Sequence, residues 1–484
     1  MPPQTGGSES ITSLYFSDLG RALWVLPIDM KRTAMPCLTF TSLPVRVAAW
    51  LAASLLGFFI FAGLPSKVVA QQTTPETRIP GEILVQLRSG SDLSAIQTGY
   101  RLSLMSRFGQ RPIFRFRVTG QQRVDAVVNA LRADPRVAVA EPNFAAGAPE
   151  ARKRSVWAVG EPGAYTTQWA PSAMGLPAAH TRATGQGQLV AVLDTGVDFS
   201  HPALAGRLLP GWDFVDGDSD SSEVGVVGVG GFGHGTHVAG LVALAAPGAQ
   251  IMPLRVLDAA GEGNIWVLAE AMLHAVDPDR VPTTPDGARI INLSLGTNQR
   301  TAILDLVTRL VQCSDDDDDD DDEEDAPLDD PGYNVDKERC NVLGSAVVVA
   351  AAGNSGNSTE LQYPAAEKSA GRMAVAASAA SGRLARLSNW GSWIDVAAPG
   401  EGLTSAVPGG GYGVWSGTSM ATPLVAGVAA LLFQENPDWK PEDITKRLRE
   451  SAVALCDTSL RQVHADAAVR DVQLPGPVCN GRTR

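Results

Sequence analysis

Four residues far apart in the chain could together perform acyl transfer: Asp194, His234, Asn354 and Ser419. That chemistry needs a nucleophile, a base to take its proton, a carboxylate to orient the base, and donors for the oxyanion. One of each is present. Ser419 lies in Gly417-Thr418-Ser419-Met420-Ala421-Thr422-Pro423, just ahead of an apolar run from Leu424 to Phe433. The run is apolar on nearly every side and reads as a buried helix, with Pro423 suited to its first turn. Ser419 then stands at a helix N-terminus, where free N–H groups and the positive dipole end meet developing negative charge. An ordinary N-cap serine would look the same. The other three also have bland readings. An aspartate after a strand often forms a turn, as Asn354 does beside Gly353, and a lone histidine is usually packed or solvated. The bland readings would have to coincide four times.

The elements that must position these residues are legible from Gln168 onward. Residues 188–193, 251–256, 290–293, 346–352 and 372–377 read as buried strands, and 237–245, 265–276 and 303–311 as helices. Fully apolar strands alternating with helices predict a doubly wound, mostly parallel α/β sheet with helices on both faces. Ligands bind such sheets beyond the carboxyl ends of the strands. Asp194-Thr195-Gly196, Ser294-Leu295-Gly296 and Gly353-Asn354 all fall at such ends. Ahead of this region, 82–87 and 112–118 alternate like strands, 124–131 has helical spacing, and 137–140 is a short strand. This predicts a small α+β domain.

Composition bounds the rest. The chain has 484 residues, with 49 Gly, 32 Pro and a net charge of −13. The unbroken acidic run 315–325 supplies 11 of the negative charges, which leaves −2 for the remainder. No basic stripe points to nucleic acid. Lys31, Arg32 and Arg46 precede an apolar stretch, 47–64, which is followed by Ser66-Lys67-Val68-Val69-Ala70, the layout of a cleaved export signal. Export predicts a secreted or periplasmic protein, and a membrane association arises only if the segment stays uncleaved as an anchor. Cys37 falls within that leader. Neighbours in sequence pair Cys313 with Cys340 and Cys456 with Cys479, although four cysteines allow three pairings. Residues 216–220, Asp-Gly-Asp-Ser-Asp, and the acidic run both invite calcium, but neither has the spacing of a defined loop. The glycine-rich stretch 224–232 lacks the Gly-Lys-Ser/Thr ending of a phosphate loop and reads as a flexible approach to His234.

Asp194-Thr195-Gly196, the motif from His234 to Gly240 and the motif from Gly417 to Pro423 resemble the three signatures of subtilisin-like serine peptidases, in that family's order. The resemblance covers about 165–455 and extends to 294–296, 351–354 and 395–400. It implies Ser419 as nucleophile, His234 as base and then acid, Asp194 as its orienting carboxylate, and Asn354 with the Ser419 N–H as oxyanion donors. His237 is then a structural helix residue. Ser294, Leu295 and Gly296 would pair with an extended peptide, Gly261 and Gly263 would offer a second edge, and Ala352 and Gly353 would border the first side-chain pocket. Ser355 stands where an acidic residue could favour basic side chains, so the expected preference at the residue before the cut (P1) is apolar or broad.

The resemblance divides the chain into an extension and signal (1–70), an inhibitory propeptide (71–147), an activation linker (148–164), the peptidase domain (165–455, with an acidic insertion at 314–339) and a disulfide-stapled tail (456–484). The expected product is a secreted endopeptidase made as a zymogen. Its partners are polypeptide substrates and its own propeptide, its expected state is a monomer, and its chemistry requires no cofactor. Calcium is left as a structural option. Arg152-Lys153-Arg154 reads equally as a processing site or a solvated linker. A catalytically silent peptide-binding relative and an esterase on the same triad are the competing functions.

Overall fold

The computed structural model describes residues 77–150, 158–281, 284–313, 340 and 345–476. The leader, Arg152-Lys153-Arg154, the acidic run and Cys479 lie outside them. The described residues form one compact unit.

The N-terminal part contains β1 (Arg78–Leu87), α1 (Leu93–Tyr100), β2 (Leu102–Arg107), β3 (Ile113–Val118), α2 (Val124–Arg132) and β4 (Val137–Gly147). Its strands are antiparallel, in the order β2-β3-β1-β4. Alternation sends Ile83, Val85, Phe114 and Phe116 to one face, under α1 and α2. Leu84 and Ile113 go to the other face and join the core of the larger domain. This sheet is therefore buried on both sides, which its polar alternation does not advertise, because the second cover comes from another domain.

The larger domain is built on β5 (Leu189–Asp194), α3 (His234–Ala245), β6 (Gln250–Arg255), β7 (Glu262–Asn264), α4 (Ile265–Val276), β8 (Ile290–Leu293), α5 (Ala302–Gln312), β9 (Val347–Ala351), β10 (Arg372–Ser378), β11 (Val396–Pro399), β12 (Leu403–Val407), β13 (Gly411–Trp415) and α6 (Thr418–Glu435). Strands β11-β10-β9-β8-β5-β6 lie side by side and parallel. Val190, Val192, Val347 and Val349 pack toward α3 and α6, whereas Ala191, Leu193, Val348 and Ala350 pack toward α4 and α5. Both faces are covered, as an all-apolar parallel strand requires. From β5 the chain moves first to β6 on one side and then to β8 on the other. The strand order thus reverses between β5 and β8, the point where α/β sheets open a crevice.

Helix α6 begins at Thr418, earlier than the apolar run predicted, and Pro423 sits inside it rather than at its first turn. A proline there cannot donate to the carbonyl four residues back. The freed Ser419 carbonyl instead accepts the Ser294 hydroxyl at 2.9 Å. Gly427 lets α6 close on α3, since a Cβ there would stand 2.4 Å from the Ala245 Cβ. Leu424, Leu431 and Phe433 are fully buried, each contributing roughly 1.5–3 kcal/mol. The helices carrying His234 and Ser419 are thereby locked together.

A disulfide joins Cys313, just after α5, to Cys340, with 5.8 Å between the Cα atoms. Cys456 is also disulfide-bonded. Among the described residues, no helix is long and apolar enough to cross a membrane.

Candidate active site

Asp194 ends β5 and His234 opens α3, and the His234 Nδ1–H donates to Asp194 Oδ1 at 2.7 Å. Both side chains are buried. The backbones approach closely because Gly235 has no side chain: a Cβ there would meet the Gly196 carbonyl oxygen at 2.1 Å. Ser419 is the second residue of α6 and not its cap. The N-cap is Gly417, whose φ of 169° is extended backbone. The Ser419 N–H is then one of the first-turn donors without an intrahelical acceptor.

Asn354 follows β9. Its Oδ1 accepts from the Thr418 N–H at 2.9 Å and from the Thr418 hydroxyl at 3.0 Å. Both acceptances fix the amide so that Nδ2 faces the cleft. There it donates to Glu150 Oε1 at 2.6 Å.

Glu150 is the residue that the sequence did not offer. The other oxygen of its carboxylate, Oε2, lies 2.5 Å from Ser419 Oγ and 3.2 Å from His234 Nε2. Ser419 and His234 therefore meet through this carboxylate rather than directly. Ser419 Oγ also lies 3.0 Å from the Ser294 carbonyl oxygen. Gly417 leaves room for the anion, because a Cβ there would fall 1.7 Å from Glu150 Oε1. Burial alone would push the His234 pKa down. The charge of Asp194 and its hydrogen bond, then Glu150, outweigh burial and hold it at about 10. Burial likewise raises the Glu150 pKa, but the bonds and charge of His234, with Ser419 and Asn354, bring it below the usual value. In this state His234 is an imidazolium between two carboxylates and has no lone pair to take a proton.

Glu150 reaches the site because β4 runs through the cleft. Ala145, Ala146 and Gly147 pair antiparallel with Asn264, Gly263 and Glu262 of β7. Gly147 exchanges two backbone hydrogen bonds with Gly296, at 2.9 and 3.1 Å, and the Ala148 N–H donates to the Gly261 carbonyl at 3.1 Å. A strand is thus held between the two edges the sequence marked, 261–263 and 294–296. Gly261, Gly263 and Gly296 act through backbone. Leu295, however, turns its side chain into the core and Ala352 packs in a satellite core cluster, so neither presents a side chain to the cleft. Gly353 lies behind Asn354, and a Cβ there would meet Gln362 and Asn389 at 2.7 Å. The pocket beside Pro149 is lined by Asn298, Asn354, Ser355, Glu360 and Gln362. Gln362 is buried, whereas Asn298, Ser355 and Glu360 are exposed.

The N-terminal domain also clamps two helix starts. Glu141 accepts from the Ala302 and Ile303 N–H groups at 2.9 and 3.2 Å, capping α5. Asn143 Oδ1 accepts from the Trp266 N–H of α4 at 3.3 Å. Carboxylates and amides suit such termini.

His237 stacks on Trp415 at 5.0 Å, and its Nε2–H faces the Leu403 and Gly413 carbonyls. Burial and the nearby His234 charge depress its pKa to about 3, so it is a neutral packing residue. At 213–220 the carboxylates of Asp213 and Asp216 close on the buried Arg255 guanidinium. Among the described residues, one set of three carboxylates could share a cation: Asp277, Asp279 and Asp286, with ligand atoms within 4.8 Å of one another. They precede β8 and so lie toward the end of the sheet opposite the cleft.

Comparison with known proteins bears on the family and the fold. Residues 185–472 match the Subtilase family, and 65–143 match the fervidolysin N-terminal prodomain. The chain is 32% identical to a thermophilic serine proteinase of Bacillus sp. (strain AK1), over 79% of this chain and 87% of that protein. It is 37% identical to thermitase of Thermoactinomyces vulgaris, over 55% of this chain and 82% of that one. Among solved structures it resembles fervidolysin from Fervidobacterium pennivorans, described as a keratinolytic enzyme related to subtilisin. The TM-score is 0.62 at 24% identity, over 82% of this chain and 62% of that one. That likeness bears on fold alone, and the chain spans under two thirds of that structure's length.

Proposed function

The chain belongs to the subtilase family and is a serine endopeptidase carrying a prodomain, and from that premise we propose that Asp194, His234 and Ser419 are its catalytic triad, held latent here by Glu150, at the start of the linker that follows the prodomain. The observation that carries this reading is the single carboxylate touching Ser419, His234 and Asn354 at once. A carboxylate there stands for the charge that a tetrahedral intermediate would place between the same groups.

Once the 145–150 strand leaves, His234 loses one of its two anions and its pKa falls toward the ordinary histidine range. It can then take the Ser419 proton as Oγ attacks the scissile carbonyl, while Asp194 holds Nδ1–H and stabilises the imidazolium. Asn354 Nδ2 and the Ser419 N–H receive the oxyanion. His234 next protonates the leaving amine, and water repeats the cycle on the acyl-enzyme. Substrates bind as Ala145–Ala148 does now, as a strand between the two edges, by backbone bonds that do not read sequence. Side-chain choice falls to the pocket beside Pro149. Its buried Gln362 is uncharged and its carboxylate, Glu360, sits at the exposed rim, which favours a broad preference that includes small apolar residues. The propeptide is cut at or next to Glu150, and the protein works after export.

The test is labelling with a fluorophosphonate probe. The uncut chain should label slowly and the processed chain rapidly, with labelling lost in Ser419→Ala. A processed chain that stays unlabelled would sink the triad assignment. N-terminal sequencing of the processed chain locates the cut. Peptide libraries would overturn the pocket reading if only basic or only large aromatic residues were accepted at P1.

A further inference from the structure

A third carboxylate, which takes no part in the proton transfers above, joins the two elements that carry Asp194 and His234. Glu223 lies in the segment between β5 and α3 with its carboxylate turned inward. Its Oε1 accepts from the Thr195 hydroxyl at 2.6 Å and from the Gly233 N–H at 2.9 Å. Its Oε2 accepts from the Thr236 hydroxyl at 2.8 Å and from the Thr236 N–H at 3.2 Å.

The hydroxyl hydrogens in this network have no alternative direction. Thr195 Oγ1 already accepts from the Gly235 N–H at 2.9 Å, and Thr236 Oγ1 accepts from the Asp198 N–H at 3.0 Å. Each hydroxyl must then send its own hydrogen to Glu223. Four donors converge on one group, and only an acceptor-only carboxylate satisfies all four. An amide at the same place would turn N–H hydrogens toward two of them.

The network solves a local problem. The N-cap of α3 is Gly233, in the left-handed region at φ 89°, with no side chain to cap the helix. The orphan N–H groups of Gly233 and Thr236 are taken by Glu223, and that of Gly235 by Thr195. Thr195 in turn follows Asp194 and donates its own N–H to Asp194 Oδ1 at 2.8 Å. Glu223 therefore ties the end of β5 to the first turn of α3. Gly196 and Gly235 approach backbone to backbone there, the Thr195–Gly235 and Thr236–Asp198 bonds cross the same gap, and Glu223 joins both threonines.

We infer that Glu223 is a positioning residue of the peptidase, holding His234 Nδ1 at hydrogen-bond distance from Asp194 through Thr195 and the first turn of α3. The inference rests on the Asp194–His234 pairing proposed above. It also bears on the basicity of His234, because the Asp194 charge and hydrogen bond that Glu223 holds in place raise the His234 pKa. In the processed enzyme His234 faces Asp194 from β5 and the neutral His237 from its own helix, with Glu223 reaching the pair only through Thr195, Gly233 and Thr236. Removing Glu223 should disturb geometry and lower the His234 pKa together.

The experiment compares Glu223→Gln, Glu223→Asp and Glu223→Ala in the full chain, matured in trans by tagged wild-type enzyme that is then removed. Active sites are titrated with a fluorophosphonate, and kcat, KM and the pH profile are measured on a peptide amide. Glu223→Ala should lower kcat per titrated site on the order of 100-fold, the size expected for a misplaced catalytic group. KM should stay within about twofold, since the network touches no substrate edge. Glu223→Asp should recover part of the loss, and the acid limb of kcat/KM should move to lower pH in Glu223→Gln. The inference is overturned if kcat per titrated site and the acid limb both match wild type while only the melting temperature falls. If Glu223→Ala does not fold, Glu223→Gln decides by the same two readouts. Wild type that neither labels nor hydrolyses would instead overturn the triad reading and this inference with it.

Discussion

The two sides of the Asp194–His234 pair each hold a glutamate, and the two behave oppositely. On the cleft side Glu150 meets an imidazolium and is held below the usual carboxylate pKa. On the far side burial pushes Glu223 up to about 7, despite hydrogen bonds from Thr195, Gly233 and Thr236, with the Asp194 charge adding to the rise. Residue type does not decide the outcome; the sign of the nearest charge does. Glu367 completes the series. Neither of its oxygens has a hydrogen-bond partner among the described residues. Burial, with Asp305 nearby, lifts it to about 8. A cation, a set of neutral donors and burial beside another carboxylate give three different carboxylates. The cleft is distinctive because it supplies a cation and two donors, an arrangement suited to binding an anion.

That contrast can be broken most severely at Gly417. In Gly417→Ala the new methyl would occupy the anion's place, so kcat of the processed enzyme should fall by roughly 10³-fold or more while the cleft edges still bind peptide. An unchanged kcat would mean the oxyanion lies elsewhere. Asn354→Ala removes one donor and leaves the space. It should cost on the order of 10²–10³-fold in kcat with little change in KM, read by steady-state kinetics.

Glu150→Gln keeps the shape and deletes the charge. The uncut chain should then label with fluorophosphonate about tenfold faster, a modest part of the roughly 3–5 kcal/mol at stake when a buried ion pair is broken. Labelling at the wild-type rate would show that backbone pairing alone keeps the site shut.

The remaining effect is on stability rather than turnover and belongs to Glu367. Its folded-state pKa is raised from about 4.5 to about 8. Its contribution is therefore fully present below pH 4.5 and is lost as pH rises through the folded value. Between those limits stability should fall by up to about 1.4 kcal/mol per pH unit from this group. Glu367→Gln should flatten that slope in denaturant titrations, and a slope that persists would locate it in another group.

The parallel sheet was legible because its strands are apolar on both faces, as in 188–193 and 290–293. The glycine-flanked motifs were legible because close approaches leave no tolerance for a Cβ, as at Gly235 and Gly417. The start of α6 was not, since a helix that begins at Thr418 and carries Pro423 inside depends on Ser294 to satisfy the freed carbonyl. The inward turn of Leu295 was also hidden, because the segment around it reads equally well as a cleft edge.

By itself the sequence determined which chemical groups the chain owns, their order, and that apolar strands would present them at one end of a sheet. These are properties of residue type and short-range period, which need no partner to be read. Only the tertiary structure decided that Glu150 sits against Ser419 and His234, and that Glu223 spans Thr195 and Thr236. Both are carboxylates in segments with no periodicity. Their roles come from strand register and from donors far away in the chain, and no local pattern encodes either.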